Sequence, residues 1–177
     1  MNERSFASVI SLGCMTLAAL HWVGFASAEP VKISNQSRGP SVETSLAALV
    51  PQDGVRVEIA AHEPQVVDPI AIRFDSQGRM WVVEMRDYPT GPVQGSQFDG
   101  RIQILTDRDH DGFFESSTTF AKGLVFPTGL QPWRDGVIVT LAGKIEYMAD
   151  TDGDLQCDQR ETWFEGFAED NEQLRAN

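Results

Sequence analysis

The chain repeats itself, and the period of that repeat restricts its fold more than any other feature. Shifted by 43 residues, Gly100-Arg101-Ile102 falls on Gly143-Lys144-Ile145, and Asp107, Asp109 and Asp111 fall on Asp150, Asp152 and Asp154 without a gap. The match continues with Glu115 on Asp158, Thr119 on Thr162, Phe120 on Trp163 and Gly123-Leu124 on Gly166-Phe167. Within each copy Ile102 and Ile104, or Ile145 and Tyr147, alternate along the chain, so they share one face of a strand. An acidic loop follows, and SSTTF or ETWF supplies the return strand. Upstream, Asp68 to Phe74, the Gln77-Gly78 turn and the MWVVEM run correspond to the stretch from Phe126 through Asp135-Gly136 to VIVTLA. The 15 extra residues of the first copy lie between Met85 and Gly100, in a Gly- and Pro-rich loop insertion.

Four strands per unit at this spacing predict an all-β chain built from β-propeller blades, one over residues 68–124 and a second over 126–167. A propeller closes with about four to eight blades. Two blades leave open edges, which invite further pairing. The expectation is therefore an incomplete propeller, the N-terminal portion of a longer protein, poorly soluble by itself.

What precedes the repeats reads differently. Arg4 is followed by 24 residues free of Lys, Arg, Asp and Glu, ending in Ala26-Ser27-Ala28 before Glu29-Pro30. This pattern predicts a secretory signal over residues 1–28, cleaved near Ala28, and an exported protein of the periplasm or cell envelope. The competing reading is an uncleaved N-terminal membrane anchor, which His21 and the small residues near the end of the run disfavour. Residues 29–45 hold few large apolar side chains and two prolines, and are expected to form a linker. The folded domain is placed at 46–177. Its first strand is expected in VRVEIAA, where Val55, Val57 and Ile59 alternate.

Composition narrows the partners. Acidic residues outnumber basic ones 26 to 14, the formal net charge is -12, and no Lys/Arg run is present that could neutralise a row of phosphates. Nucleic acid is excluded on that ground. Cys14 lies within the apolar run, so Cys157 alone remains after cleavage and no intramolecular disulfide can form.

The acidic loops carry the clearest chemistry. Asp107, Asp109, Asp111 and Glu115, and in the second copy Asp150, Asp152, Asp154 and Asp158, stand at loop positions 1, 3, 5 and 9. Alternate carboxylates in a tightly wound loop can converge on a hard cation, and Ca²⁺ takes about six to eight oxygens. Gly112 occupies position 6 of the first loop, where an EF-hand loop turns sharply, whereas the second has Leu155 there. Glu161 stands at position 12 of the second loop, against Thr118 in the first. Both loops are expected to be EF-hand-like Ca²⁺ sites set in hairpins. The competing reading is a pair of solvated acidic turns, in which three aspartates within five residues repel one another uncompensated.

A charged and aromatic cluster, Arg86-Asp87-Tyr88-Pro89, directly follows the apolar MWVVEM strand, where blade loops reach a propeller's central face. Asn171, Gln173, Arg175 and Asn177 form a polar run that could line the same face. No P-loop, dinucleotide fingerprint or nucleophile elbow is present. His62 and His110 lie in no pattern that suggests a general base or a transition-metal site.

Taken together, VRVEIAAHEPQVVDPIAIRFDSQGRMWVVEMRDYP, GRIQILTDRDHDG, GLVFPTGLQPW, DTDGD, WFEGF and NEQLRAN resemble the N-terminal part of a bacterial propeller domain named for membrane-bound dehydrogenases. That family is similar to the six-bladed quinoprotein glucose and sorbosone dehydrogenases. The resemblance implies Ca²⁺-dependent oxidation of a sugar or alcohol, with pyrroloquinoline quinone on the central face and electrons passed to a c-type cytochrome. By the same resemblance Arg86, Asp87, Tyr88, Asn171, Gln173, Arg175 and Asn177 would serve the cofactor face. The chain departs from the family pattern in lacking a C-x-x-C-H haem motif and a recognisable histidine base. A non-catalytic exported propeller that binds glycan or protein fits the same residues.

Overall fold

A computed structural model describes residues 39–167. The expected signal, most of the expected linker and the run Asn171, Gln173, Arg175 and Asn177 lie outside the described residues. Alternating apolar residues form two four-stranded antiparallel sheets, each a simple meander. Sheet 1 holds β1 (Pro69–Phe74), β2 (Met80–Glu84), β3 (Gly100–Thr106) and β4 (Ser116–Leu124). Sheet 2 holds β5 (Gly129–Trp133), β6 (Gly136–Leu141), β7 (Lys144–Ala149) and β8 (Gln159–Glu165). The four strands of each repeat thus fall where the sequence predicts them. Even the irregularity repeats: the register slips between Ile102 and Gln103 in one sheet and between Ile145 and Glu146 in the other. The slips leave Phe120 and Trp163 as the extra residues of matching bulges.

Register assigns each side chain to a face. In sheet 1, Trp81 opposite Ile104 and Val83 opposite Ile102 share a front face with Phe120. In sheet 2, Val137 opposite Met148 and Val139 opposite Glu146 share a back face with Leu130. The front of sheet 1 packs against the back of sheet 2 in one buried cluster. Each aliphatic side chain taken from water there contributes roughly 1.5–3 kcal/mol, so this contact carries most of the core. A smaller cluster lies behind sheet 1, where Met80, Val82 and Leu105 meet Val66, Phe114 and Ala61.

Two expectations at the N-terminal end are corrected. A short helix, α1 (Val42–Ala47), crosses the expected linker boundary at residue 45. Ser41 caps it, its Oγ accepting from the Thr44 amide at 3.2 Å, and the helix buries none of its residues. Residues 55–61 join no sheet, and Val55 and Val57 are exposed. Alternation alone makes no strand, because the ladder needs a neighbour, and here the Phe114 amide is bonded to the Ala60 carbonyl at 2.7 Å. No described helix is long and apolar enough to cross a membrane.

Candidate functional site

The two acidic loops join β3 to β4 and β7 to β8, and their backbones are wound alike. The Asp107 carboxylate accepts from the amides of His110 at 2.7 Å and Gly112 at 3.0 Å. Asp150, its counterpart, accepts from Gly153 at 2.7 Å, Leu155 at 2.8 Å and Asp152 at 3.2 Å. Partial desolvation opposes ionisation of Asp150, but the loop amides outweigh it and hold its carboxyl below the ordinary range. Position 9 closes each loop: Glu115 accepts from the Arg108 amide at 3.1 Å, and Asp158 from the Thr151 amide at the same distance. The Thr151 hydroxyl adds bonds of 2.9 Å to both Asp158 oxygens.

Winding the chain this tightly requires left-handed backbone at positions 4 and 6 of both loops. The first loop has His110 at φ 61° and Gly112 at φ 96°; the second has Gly153 at φ 86° and Leu155 at φ 65°. Leu155 therefore adopts the turn that the sequence reading assigned to glycine. Packing of Leu155 against the main core helps hold it there.

The result is a convergence of carboxylates at the same positions twice. Asp107, Asp109 and Glu115 can bring ligand oxygens within 4.8 Å of one another, and so can Asp150, Asp152 and Asp158. Asp111 and Asp154 stand outside these groups, each accepting from the amide two residues on, Phe113 or Gln156, at 2.8 Å. Glu161 also stands outside, on β8 opposite Tyr147. His110 is exposed, as its even position implies. The donor set is all oxygen, which suits Ca²⁺ or Mg²⁺ and offers a softer metal nothing. Each loop is anchored behind: Phe114 lies in the smaller core, and the Cys157 amide donates to the Phe120 carbonyl of sheet 1 at 2.8 Å.

The second candidate region is a groove of about 780 Å³ under the insertion after β2. It brings together Arg86, Asp87 and Tyr88 with Phe98, Asp99 and Lys122. The residue that organises its wall, Glu84, was not singled out from the sequence. Glu84 is fully buried, accepts from the Val67 amide at 2.8 Å, and holds both Nε and Nη2 of Arg86 at 2.8 Å on one oxygen. A lone acidic residue within the apolar MWVVEM run was the available signal. Asp87 Oδ2 accepts from the Asp99 amide at 3.1 Å, while its Oδ1 is buried with no hydrogen-bond partner. Asp99 is itself paired to Arg101 at 2.6 Å.

Fold and site together define an all-β repeat domain with paired acidic loops. Its family is shown by sequence: the family model for a domain of unknown function, DUF7133, matches residues 41–177, and the chain belongs to that family. No curated protein and no solved structure matches the chain.

Proposed function

We propose that this chain is the N-terminal portion of an exported β-propeller whose acidic loops bind Ca²⁺ and staple the outer hairpin of each blade. The observation that carries the proposal is the repeated trio of carboxylates at loop positions 1, 3 and 9, latched twice by the amide of position 2. Stacking of the two sheets front to back supports the propeller, because the same contact repeated by rotation closes a ring. The uncharged run from Ser5 to Ala28 with its Ala-Ser-Ala ending supports export.

The groove favours a binding role with a hydroxyl-rich ligand such as a glycan. Asp99 and Lys122 give its lining charged groups of both signs, and Tyr88 presents an exposed ring. Pyrroloquinoline quinone, a tricarboxylate, fits this lining poorly. Arg86 is already committed to Glu84, and among the described residues the same groove is lined by the acidic Asp87 and Asp99 beside Lys122. Oxidation of a sugar or alcohol and transfer to a c-type cytochrome therefore stay outside the proposal for these residues.

Calorimetric titration with Ca²⁺ tests the staple. Two sites are expected, with Asp109→Asn and Asp152→Asn each removing one. Ca²⁺ at a hundred times its dissociation constant should stabilise each site by about 2.7 kcal/mol, and a chelator should reverse the gain. Absence of binding heat, with a melting temperature indifferent to Ca²⁺, would overturn it. Affinity should fall as pH drops through the carboxylate range, since protonated Asp cannot ligate.

A further inference from the structure

We infer that residues 55–61 are the outer strand of a further sheet, the one that packs behind sheet 1 and closes the ring. The source of that sheet rests on the propeller reading; the place of the strand rests on packing within the described residues.

The smaller core maps position by position onto part of the larger one. Met80, Val82, Leu105 and Phe114 of sheet 1 correspond through the repeat to Val137, Val139, Met148 and Cys157 of sheet 2. Their covers correspond as well. Ala61 and Val66 lie behind sheet 1 where Ala121 and Leu124, from β4 of the preceding sheet, lie behind sheet 2. One hydrogen bond fixes the equivalence: the Phe114 amide donates to the Ala60 carbonyl at 2.7 Å, and the Cys157 amide donates to the Phe120 carbonyl at 2.8 Å. Residues 57–61 therefore stand where residues 117–121 of β4 stand one sheet later. Val55, Val57 and Ile59 carry the alternation of a strand and have no neighbouring strand among the described residues.

The missing cover is equally specific. Behind sheet 2, the inner part of the contact is supplied by Trp81, Val83, Ile102 and Ile104, and Leu130 on β5 is 6% exposed. Behind sheet 1 nothing described takes that role, and the equivalent Ile72 is 46% exposed, with Phe74 at 57%. The occupant is a three-stranded antiparallel sheet of this same repeat, with apolar residues at the positions of those four, lacking an outer strand of its own. We assign it to the last sheet of the same protein, so that residues 55–61 complete the last blade. Such closure pairs edges that would otherwise template aggregation.

Hydrogen exchange on the 177-residue chain and on the protein carrying all of its repeats tests this. In the 177-residue chain, residues 55–61 should exchange fast while the Phe114 amide is protected. In the complete protein alternate amides of 55–61 should slow about a hundredfold or more. Val57→Pro, which removes an amide and restricts the backbone, should lower the melting temperature of the complete protein and leave the 177-residue chain unchanged. Equal, fast exchange in both proteins overturns the inference. So does protection that appears in the 177-residue chain as its concentration rises, which would make a second copy the occupant. A complete protein without further repeats would overturn the propeller reading and the inference with it; repeats present beside an unprotected 55–61 would overturn the inference alone.

Discussion

Sheets 1 and 2 are built from equivalent positions, yet the same position can be core in one and surface in the other. Phe120 and Trp163 are the extra residues of matching bulges; Phe120 is 3% exposed and Trp163 38%. Ile102 and Ile104 are fully buried, whereas their counterparts Ile145 and Tyr147 are half-buried. The difference lies in what stands in front. Sheet 2 covers the front of sheet 1, and no described element covers the front of sheet 2. Strand pairing is thus local to a repeat, while burial belongs to the junction between repeats.

Paired substitutions give the largest expected effect. Phe120→Ala should cost about 3–5 kcal/mol, the usual loss for a buried aromatic that sits edge-on to Trp81 at 4.9 Å. Trp163→Ala removes a ring stacked on Tyr147 at 5.2 Å but partly in water, and should cost about 1 kcal/mol. Denaturant midpoints measure both, and equal losses would break the comparison.

The sheets also differ at a buried back-face position, Glu84 in one and Leu141 in the other. Glu84→Leu copies sheet 2 into sheet 1 but strands the Arg86 guanidinium, which is 19% exposed, and the Val67 amide. The expected cost is about 3 kcal/mol. Adding Arg86→Met should recover more than half of it, because replacing both partners is far cheaper than breaking the pair. A double variant no more stable than the single would show that the ion pair is not what Glu84 supplies.

Next in size is a difference between turns. The β1–β2 loop is organised by Asp75, which accepts from Arg79 Nε at 2.6 Å, Trp81 Nε1 at 2.9 Å and the amides of Gln77 and Arg79. In the β5–β6 turn, Arg134-Asp135, Asp135 takes instead a side-chain bond from the Tyr147 hydroxyl at 2.7 Å. Burial alone would raise the Asp75 pKa, but these bonds overcome it and lower the pKa below its ordinary value. A depressed folded-state pKa means that the stability is present above the unfolded value, about 3.9, and is lost as pH falls through the folded one. Asp75→Asn should cost roughly 1–3 kcal/mol at neutral pH and flatten the decline of stability in acid. Parallel acid profiles for the two proteins would remove Asp75 from this role.

How much of this was legible in the sequence follows the same division. Strands β1 to β8 could be placed because alternation and the 43-residue period are properties of the chain itself. The carboxylates at loop positions 1, 3 and 9 converge because an aspartate at position 1 winds its own loop through nearby amides. Asp111 and Asp154 do not join them, since loop amides draw those side chains aside, and a spacing rule cannot see that competition. Residues 55–61 read as a strand but lack a partner, which no local pattern reveals. Glu84 was overlooked because its importance lies in Arg86 and Val67, which strand periodicity does not report.

The smallest effect tests the loops against each other, at positions where each has one glycine and one larger residue in left-handed backbone. His110, at φ 61°, is exposed and accepts the left-handed conformation for no packing return, whereas Gly153 fills its place in the second loop. His110→Gly should be neutral to stabilising by up to about 1 kcal/mol, as relief of that conformation exceeds the added chain entropy. Leu155, at φ 65°, fills the place of Gly112 and packs on the main core. Leu155→Gly relieves the same strain but forfeits a partly buried aliphatic side chain, so it should destabilise by about 1 kcal/mol. Thermal melts of the two variants should therefore move in opposite directions from one repeated backbone. Movement in the same direction would mean that the second loop gains nothing by resting on sheet 1, and that its Leu155 is a tolerated substitution of glycine instead of an anchor.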